Sequence, residues 1–119
     1  MDRIHIRDLA LRCIIGVYPE ERTHKQDILI NVTMGTNLRA AGKSDALEDT
    51  VDYKSIKLEI LDFVENSSFQ LIESLAEGIA AICLKADRVQ SATVTIDKPG
   101  ALRFTRSVAV EVTRRVPQK

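Results

Sequence analysis

A chain of 119 residues with 45% hydrophobic and 29% charged residues is sized for a single domain, residues 1–119, with one modest core. Its 17 lysines and arginines balance 17 acidic residues, so it lacks the basic excess that nucleic acid or an anionic membrane surface would require. No apolar run approaches a membrane span, and the charged start Met1-Asp2-Arg3-Ile4-His5 does not read as a signal peptide.

The first predicted strand alternates Ile4 and Ile6, then Leu9, Leu11, Cys13 and Ile15 on the opposite parity, so a bulge is expected near Arg7-Asp8. Gly16-Val17-Tyr18-Pro19-Glu20-Glu21 breaks that strand. Ile28, Ile30, Val32 and Met34 give a second strand, with Asn31 and Thr33 on its other face. Residues 39–50 are polar and expected to be irregular. Asp52 is a good N-cap, and Ile56, Ile60, Phe63 and Val64 follow helical spacing from Tyr53. Asn66-Ser67-Ser68 ends that helix and starts another, with Ser67 and Gln70 at capping-box spacing. The apolar stripe Ile72, Leu75, Ala76, Ile79, Ala80 and Cys83 then runs to about Lys85. A third strand runs from Val89 to Asp97, and a fourth carries Val108, Val110 and Val112 on one face.

The order β-β-α-α-β-β predicts an α+β fold, a four-stranded antiparallel sheet with two helices on its apolar face. The other face would carry Asn31, Thr33, Thr93, Thr95, Glu111 and Thr113, polar but not densely charged, which suits a water-filled concave surface. A lone four-stranded sheet leaves two edges unpaired. Joining several sheets edge to edge into a closed barrel satisfies both observations and predicts a ring-shaped homo-oligomer.

The chemistry is bounded by what is missing. Two histidines, His5 and His24, with no Cys-x-x-Cys, exclude a three-histidine zinc site within one chain. There is no glycine-rich phosphate loop and no Gly-x-Ser-x-Gly. Cys13 and Cys83 lie in apolar patterns and read as buried free thiols, which suits a reducing cytoplasm.

Lys98 stands at a strand end, beside Pro99-Gly100, where a strand fixes position and a loop leaves access. Glu21 in the first hairpin loop, Tyr53 at the first helix start and Glu73 in the first turns of the second helix stand out with it. Singly, each is more ordinarily a solvated surface residue. Together, Ile15-Gly16-Val17-Tyr18 with Glu21, Asp52-Tyr53, Leu71-Ile72-Glu73-x-Leu75-Ala76-Glu77 and Lys98-Pro99-Gly100-Ala101 resemble the dihydroneopterin aldolase family, over nearly the whole chain and in order.

The resemblance implies the tunnelling fold, tetrameric rings paired into octamers, and active sites between adjacent subunits, with no metal and no covalent cofactor. Dihydroneopterin carries a trihydroxypropyl chain beside a ring imine, and a retro-aldol cut gives hydroxymethyl-dihydropterin and glycolaldehyde. The substrate's own C=N is the electron sink, so Lys98 need not form the Schiff base that most lysine aldolases build. Lys98 is assigned as proton shuttle, through a water; partial burial eases that role and a nearby carboxylate opposes it. By resemblance Tyr53 is a second proton-transfer group over the pterin ring, and Glu21 contacts the side-chain hydroxyls or orients Lys98. Glu73 can accept two parallel N–H groups from the aminopyrimidinone edge. Backbone around Val51 and Ile72 would complete the ring's hydrogen bonds, and Leu71-Ile72 would supply an apolar wall.

Two other readings stand beside this one. The first is dihydroneopterin triphosphate epimerase, alone or combined with aldolase activity, on the same fold; Leu102-Arg103-Phe104 resembles it, and Arg103 and Arg106 would hold the triphosphate. The second is a non-catalytic pterin-binding ring, which Glu73 alone would support and the joint presence of Glu21, Tyr53 and Lys98 disfavours.

Overall fold

The computed structural model describes residues 1–117. Strands β1 (Asp2–Cys13), β2 (Gln26–Thr36), β3 (Ser91–Pro99) and β4 (Ser107–Arg115) form one antiparallel sheet in the order β1-β2-β3-β4. The parity switch in β1 is a bulge: its register against β2 slips between Ile6 and Leu9. Asp8 turns left-handed there, at φ 54°, and its N–H donates to Asn31 Oδ1 at 2.9 Å. A short polar side chain tolerates that conformation better than a bulky one. The slip keeps Ile4 and Ile6 on the same face as Leu9, Leu11 and Cys13.

Helices α2 (Tyr53–Glu65) and α3 (Ile72–Lys85) cover that face. They run antiparallel: Lys85 pairs with Glu59 near one end, and the Phe63 ring lies where a Cβ on Gly78 would be. Ile56, Ile60 and Val64 of α2 and Leu75, Ile79 and Cys83 of α3 are buried against Ile28, Ile30, Val32, Met34, Val94 and Ile96 of the sheet. Each such side chain contributes about 1.5–3 kcal/mol on leaving water. Leu75→Ala would therefore cost about 2–5 kcal/mol, since it also leaves a cavity.

Asp52 caps α2 as expected: Oδ1 accepts from Ser55 N at 3.2 Å and Oδ2 from Ser55 Oγ at 2.9 Å. The expected Ser67–Gln70 capping box does not start α3. Ser67 Oγ instead donates to Val64 O at 2.6 Å, the same carbonyl that accepts the Ser67 N–H at 3.1 Å as α2 ends. The N-cap of α3 is Leu71, with no side-chain cap. Residues 39–50, expected to be irregular, hold the short helix α1 (Arg39–Ser44) and a 3-10 turn at Leu47–Asp49. Six residues are too few to display a helical period. The third strand starts at Ser91 rather than Val89, whose N–H turns back to Ala86 O.

The uncovered sheet face is polar, as the alternation requires. Thr93 and Thr113 share a hydroxyl hydrogen bond of 2.9 Å, and Thr95 Oγ1 donates to Glu111 Oε1 at 3.1 Å. β1 and β4 are the outer strands, each paired on one side only among the described residues.

Candidate active site

Lys98 continues the parity of Ala92, Val94 and Ile96, so its side chain leaves the sheet on the helix side. It pairs in register with Val108, and the β3–β4 ladder closes one step later at Pro99 and Ser107. Lys98 Nζ meets Glu21 Oε2 at 2.5 Å, and only 14% and 18% of the two side chains remain exposed.

Glu21 is held from several sides. The 3-10 turn Pro19–Arg22 brings it back toward the end of β1, and its Oε1 accepts from Tyr18 N at 3.2 Å. Gln26 Nε2 donates to Ile15 O at 2.6 Å and reaches Glu21 Oε2 at 3.5 Å. The ammonium of Lys98 is the main reason the Glu21 carboxyl is held below the usual glutamate range; burial works against it, and the Tyr18 N–H and Gln26 add to the lowering. Gly16 is required beside it, because its φ of 133° suits glycine and a Cβ there would overlap the Glu21 carboxylate.

The neighbouring α2–α3 loop is tied to this pair. Arg22 Nη1 donates to Gly16 O and to Phe69 O, both at 3.0 Å, and Nη2 donates to Ser68 O at 2.5 Å. The uncapped start of α3 follows directly, with Leu71 half-exposed, Ile72 buried and Glu73 exposed in the first turn. Glu21, Lys98, Leu71, Ile72 and Glu73 thus lie at one end of the helix pair.

Val51 and Tyr53 lie at the other end. Val51 is buried, and Tyr53 is 58% exposed at the first position of α2. The 13 residues of α2 span about 20 Å, so antiparallel packing separates Tyr53 from Glu73 by about that length. A surface hollow of about 680 Å³ opens at the Tyr53 end, lined by Asp52, Ser55, Ile56, Glu59 and Arg88, and none of Glu21, Glu73 and Lys98 borders it. One copy therefore pairs Glu21 with Lys98, places Leu71, Ile72 and Glu73 at the same end of the helix pair, and leaves Val51 and Tyr53 apart. Arg22 and Gln26 are the supporting residues that sequence reasoning missed, and Gly16 entered it only as part of a motif, without a role.

A family model described as FolB: Dihydroneopterin aldolase matches residues 4–113. The chain belongs to the dihydroneopterin aldolase family. It is 37% identical over 110 residues to the dihydroneopterin triphosphate 2'-epimerase of Pseudomonas aeruginosa, covering 92% of this chain and 89% of that one. It is also 39% identical over 114 residues to the folic acid synthesis protein FOL1 of Dictyostelium discoideum, where 96% of this chain spans only 17% of the relative's length. Among solved structures, the Escherichia coli dihydroneopterin aldolase in complex with neopterin superposes with a TM-score of 0.91 at 32% identity, over 96% of this chain and 99% of that chain. The Burkholderia thailendensis dihydroneopterin aldolase bound to guanine gives a TM-score of 0.82 at 29% identity, over 98% and 92%. The four-stranded sheet with its helix pair is the tunnelling fold of these dihydroneopterin aldolases. No helix among the described residues is long and apolar enough to cross a membrane.

Proposed function

We propose that this chain cleaves dihydroneopterin to hydroxymethyl-dihydropterin and glycolaldehyde, in sites shared between adjacent copies of a ring. One copy supplies Glu21, Leu71, Ile72, Glu73 and Lys98, and its neighbour supplies Val51 and Tyr53. The observation behind this reading is the partly buried Glu21–Lys98 pair at the sheet end, with Tyr53 exposed at the far end of the helices. The whole of 1–119 acts as one domain in this reading. The two free, buried cysteines suit a reducing cytoplasm.

The chemistry follows from proton transfers alone. A base removes the proton of the chain hydroxyl one carbon beyond the bond that breaks. That C–O becomes the carbonyl of glycolaldehyde, and the bond's electron pair moves into the ring C=N to give an enamine. The ring nitrogen takes up a proton as the enamine forms and gives one up as a proton returns to the remaining chain carbon, which restores the ring C=N and leaves the hydroxymethyl group. Lys98, through a water, moves these protons, and Tyr53 is the second proton-transfer group. Glu21 orients Lys98 rather than binding the substrate: Oε2 is taken by Lys98 and Gln26, and Oε1 by Tyr18 N. Glu73 accepts the two N–H groups of the aminopyrimidinone edge, an edge that pterin and guanine share. The uncapped N–H groups at the start of α3, around Ile72, are free to complete that edge.

A second reading is epimerisation of dihydroneopterin triphosphate, in which the cleaved glycolaldehyde unit turns over and re-adds. The β3–β4 loop favours it. Arg103 and Arg106 follow Lys98 closely and take part in no ion pair among the described residues, which leaves local positive charge for phosphates. The test is to incubate the purified protein with dihydroneopterin and with its triphosphate and separate the pterins. Hydroxymethyl-dihydropterin from the free substrate supports the aldolase; an inverted triphosphate without cleavage supports the epimerase; no change in either leaves only a binder.

A further inference from the structure

We propose that Arg22 is a positioning residue that fixes the spacing between the Glu21–Lys98 pair and the pterin-recognising start of α3. The proposal rests on the function argued above. One planar guanidinium donates to Gly16 O, Phe69 O and Ser68 O, joining chain segments 46 and 47 residues apart. Gly16 is the residue against which the Glu21 carboxylate packs, and Phe69 stands two positions before Leu71. Arg22 also shares the 3-10 turn of Glu21. This side chain therefore adds to the packing of α3 on β3 in setting the ring-binding segment against the proton-transfer pair. The Gly16 N–H also donates to Phe69 O, at a long 3.4 Å.

The chemistry of the contact suits a spacer. Arg22 is in none of the ion pairs among the described residues; its donors are spent on neutral carbonyls. A lysine is a point donor and cannot reproduce a rigid fork across two segments. What the fork sets is the distance from the carboxylate of Glu73, which holds the ring, to Lys98, which moves the protons. Misplacement by about 1 Å can cost about 100-fold in rate without weakening binding.

The test compares wild type with Arg22→Met and Arg22→Lys by kcat, by the pH profile of kcat, by melting temperature and by titration with neopterin, which is not cleaved. The expected result is kcat lower by about 100-fold with a neopterin Kd within about threefold of wild type. The pH profile should keep its shape, since Glu21 and Lys98 remain. Free guanidinium should restore part of the rate in Arg22→Ala. Should Arg22→Met not fold, Arg22→Lys, which keeps the charge and loses the fork, gives the same split. A folded variant with wild-type kcat overturns the proposal, as does a loss confined to Kd or a changed pH profile, which would put Arg22 on the reacting atoms. Wild-type protein that binds neopterin but cleaves no dihydroneopterin overturns the aldolase reading and this one together. Cleavage by wild type with no kcat loss in the variants overturns this one alone.

Discussion

If the site is built from two copies, two dead variants should rescue each other. Tyr53→Ala removes the ring and hydroxyl at one end of the helix pair, and Lys98→Ala removes the proposed proton shuttle at the other. Within one chain the two positions are separated by about the 20 Å length of α2, too far to act on one substrate. In a mixed ring, a working site needs a Lys98 donor of the Tyr53→Ala type beside a Tyr53 donor of the Lys98→Ala type. Random 1:1 assembly makes each choice with even odds, so about one quarter of the interfaces are intact in both halves. Each variant alone should retain about 1% of wild-type kcat or less, the usual cost of losing an acid–base group. Co-refolded mixtures should recover about 25% of wild-type activity per site, and mixtures of preformed rings should gain it only as fast as subunits exchange. The assay is the separation of hydroxymethyl-dihydropterin from dihydroneopterin over time, with mixing confirmed by differently tagged chains. A mixed ring that recovers no more than the sum of its parents would refute the shared site.

Glu73→Gln should weaken all pterins, cleavable or not, because each charge-assisted bond contributes on the order of 1.5–3 kcal/mol; an unchanged neopterin titration would remove Glu73 from the site. Lys98→Ala should slow turnover by about 100- to 10,000-fold while leaving neopterin affinity nearly unchanged, and borohydride added during wild-type turnover should trap nothing on Lys98. Because Glu21 is held below its ordinary range chiefly by Lys98, its contribution to stability is complete above the unfolded glutamate value of about 4.3 and is lost as pH falls through the lowered value. The melting-temperature advantage of wild type over Lys98→Met should therefore shrink on acidification, and an advantage constant from pH 7 to pH 3 would contradict the pairing. Burial pushes the Cys83 thiol up to about 11 and the Cys13 thiol up as well, so both should resist a thiol reagent at pH 8 until the protein unfolds.

Much of this fold was legible because it rests on parity. The switch from Ile6 to Leu9 has one simple cause in a strand, an extra residue, and the bulge is there at Asp8. The same parity puts Lys98 on the face of Val94 and Ile96. Motif resemblance then joined Glu21 to Lys98 across 77 positions, a pairing that no local pattern could give. What was not legible depends on backbone acceptors. Arg22 reads as one more loop cation, because Gly16 O, Ser68 O and Phe69 O have no signature in side-chain chemistry. Ser67 misled for the same reason: its hydroxyl donates to a backbone carbonyl, Val64 O, rather than capping α3.

The proposed split of the site between copies and the open sheet edges are two consequences of one arrangement. The helix pair needs to run antiparallel to bury its stripes over a single four-stranded sheet, and that sends the starts of α2 and α3 to opposite ends. A cleft that needs both helix starts cannot then close within one chain. Among the described residues the same sheet leaves β1 and β4 each with an unpaired side. In the proposed ring, pairing β4 of one copy with β1 of the next satisfies those backbone groups and carries neighbouring helix pairs around the barrel side by side. The start of α2 in one copy can then face the start of α3 in the next. Ring closure would in this way complete the hydrogen bonding of the sheet and assemble the proton-transfer groups in one step. Dilution that separates the copies should abolish turnover while leaving the Glu21–Lys98 pair intact within each chain.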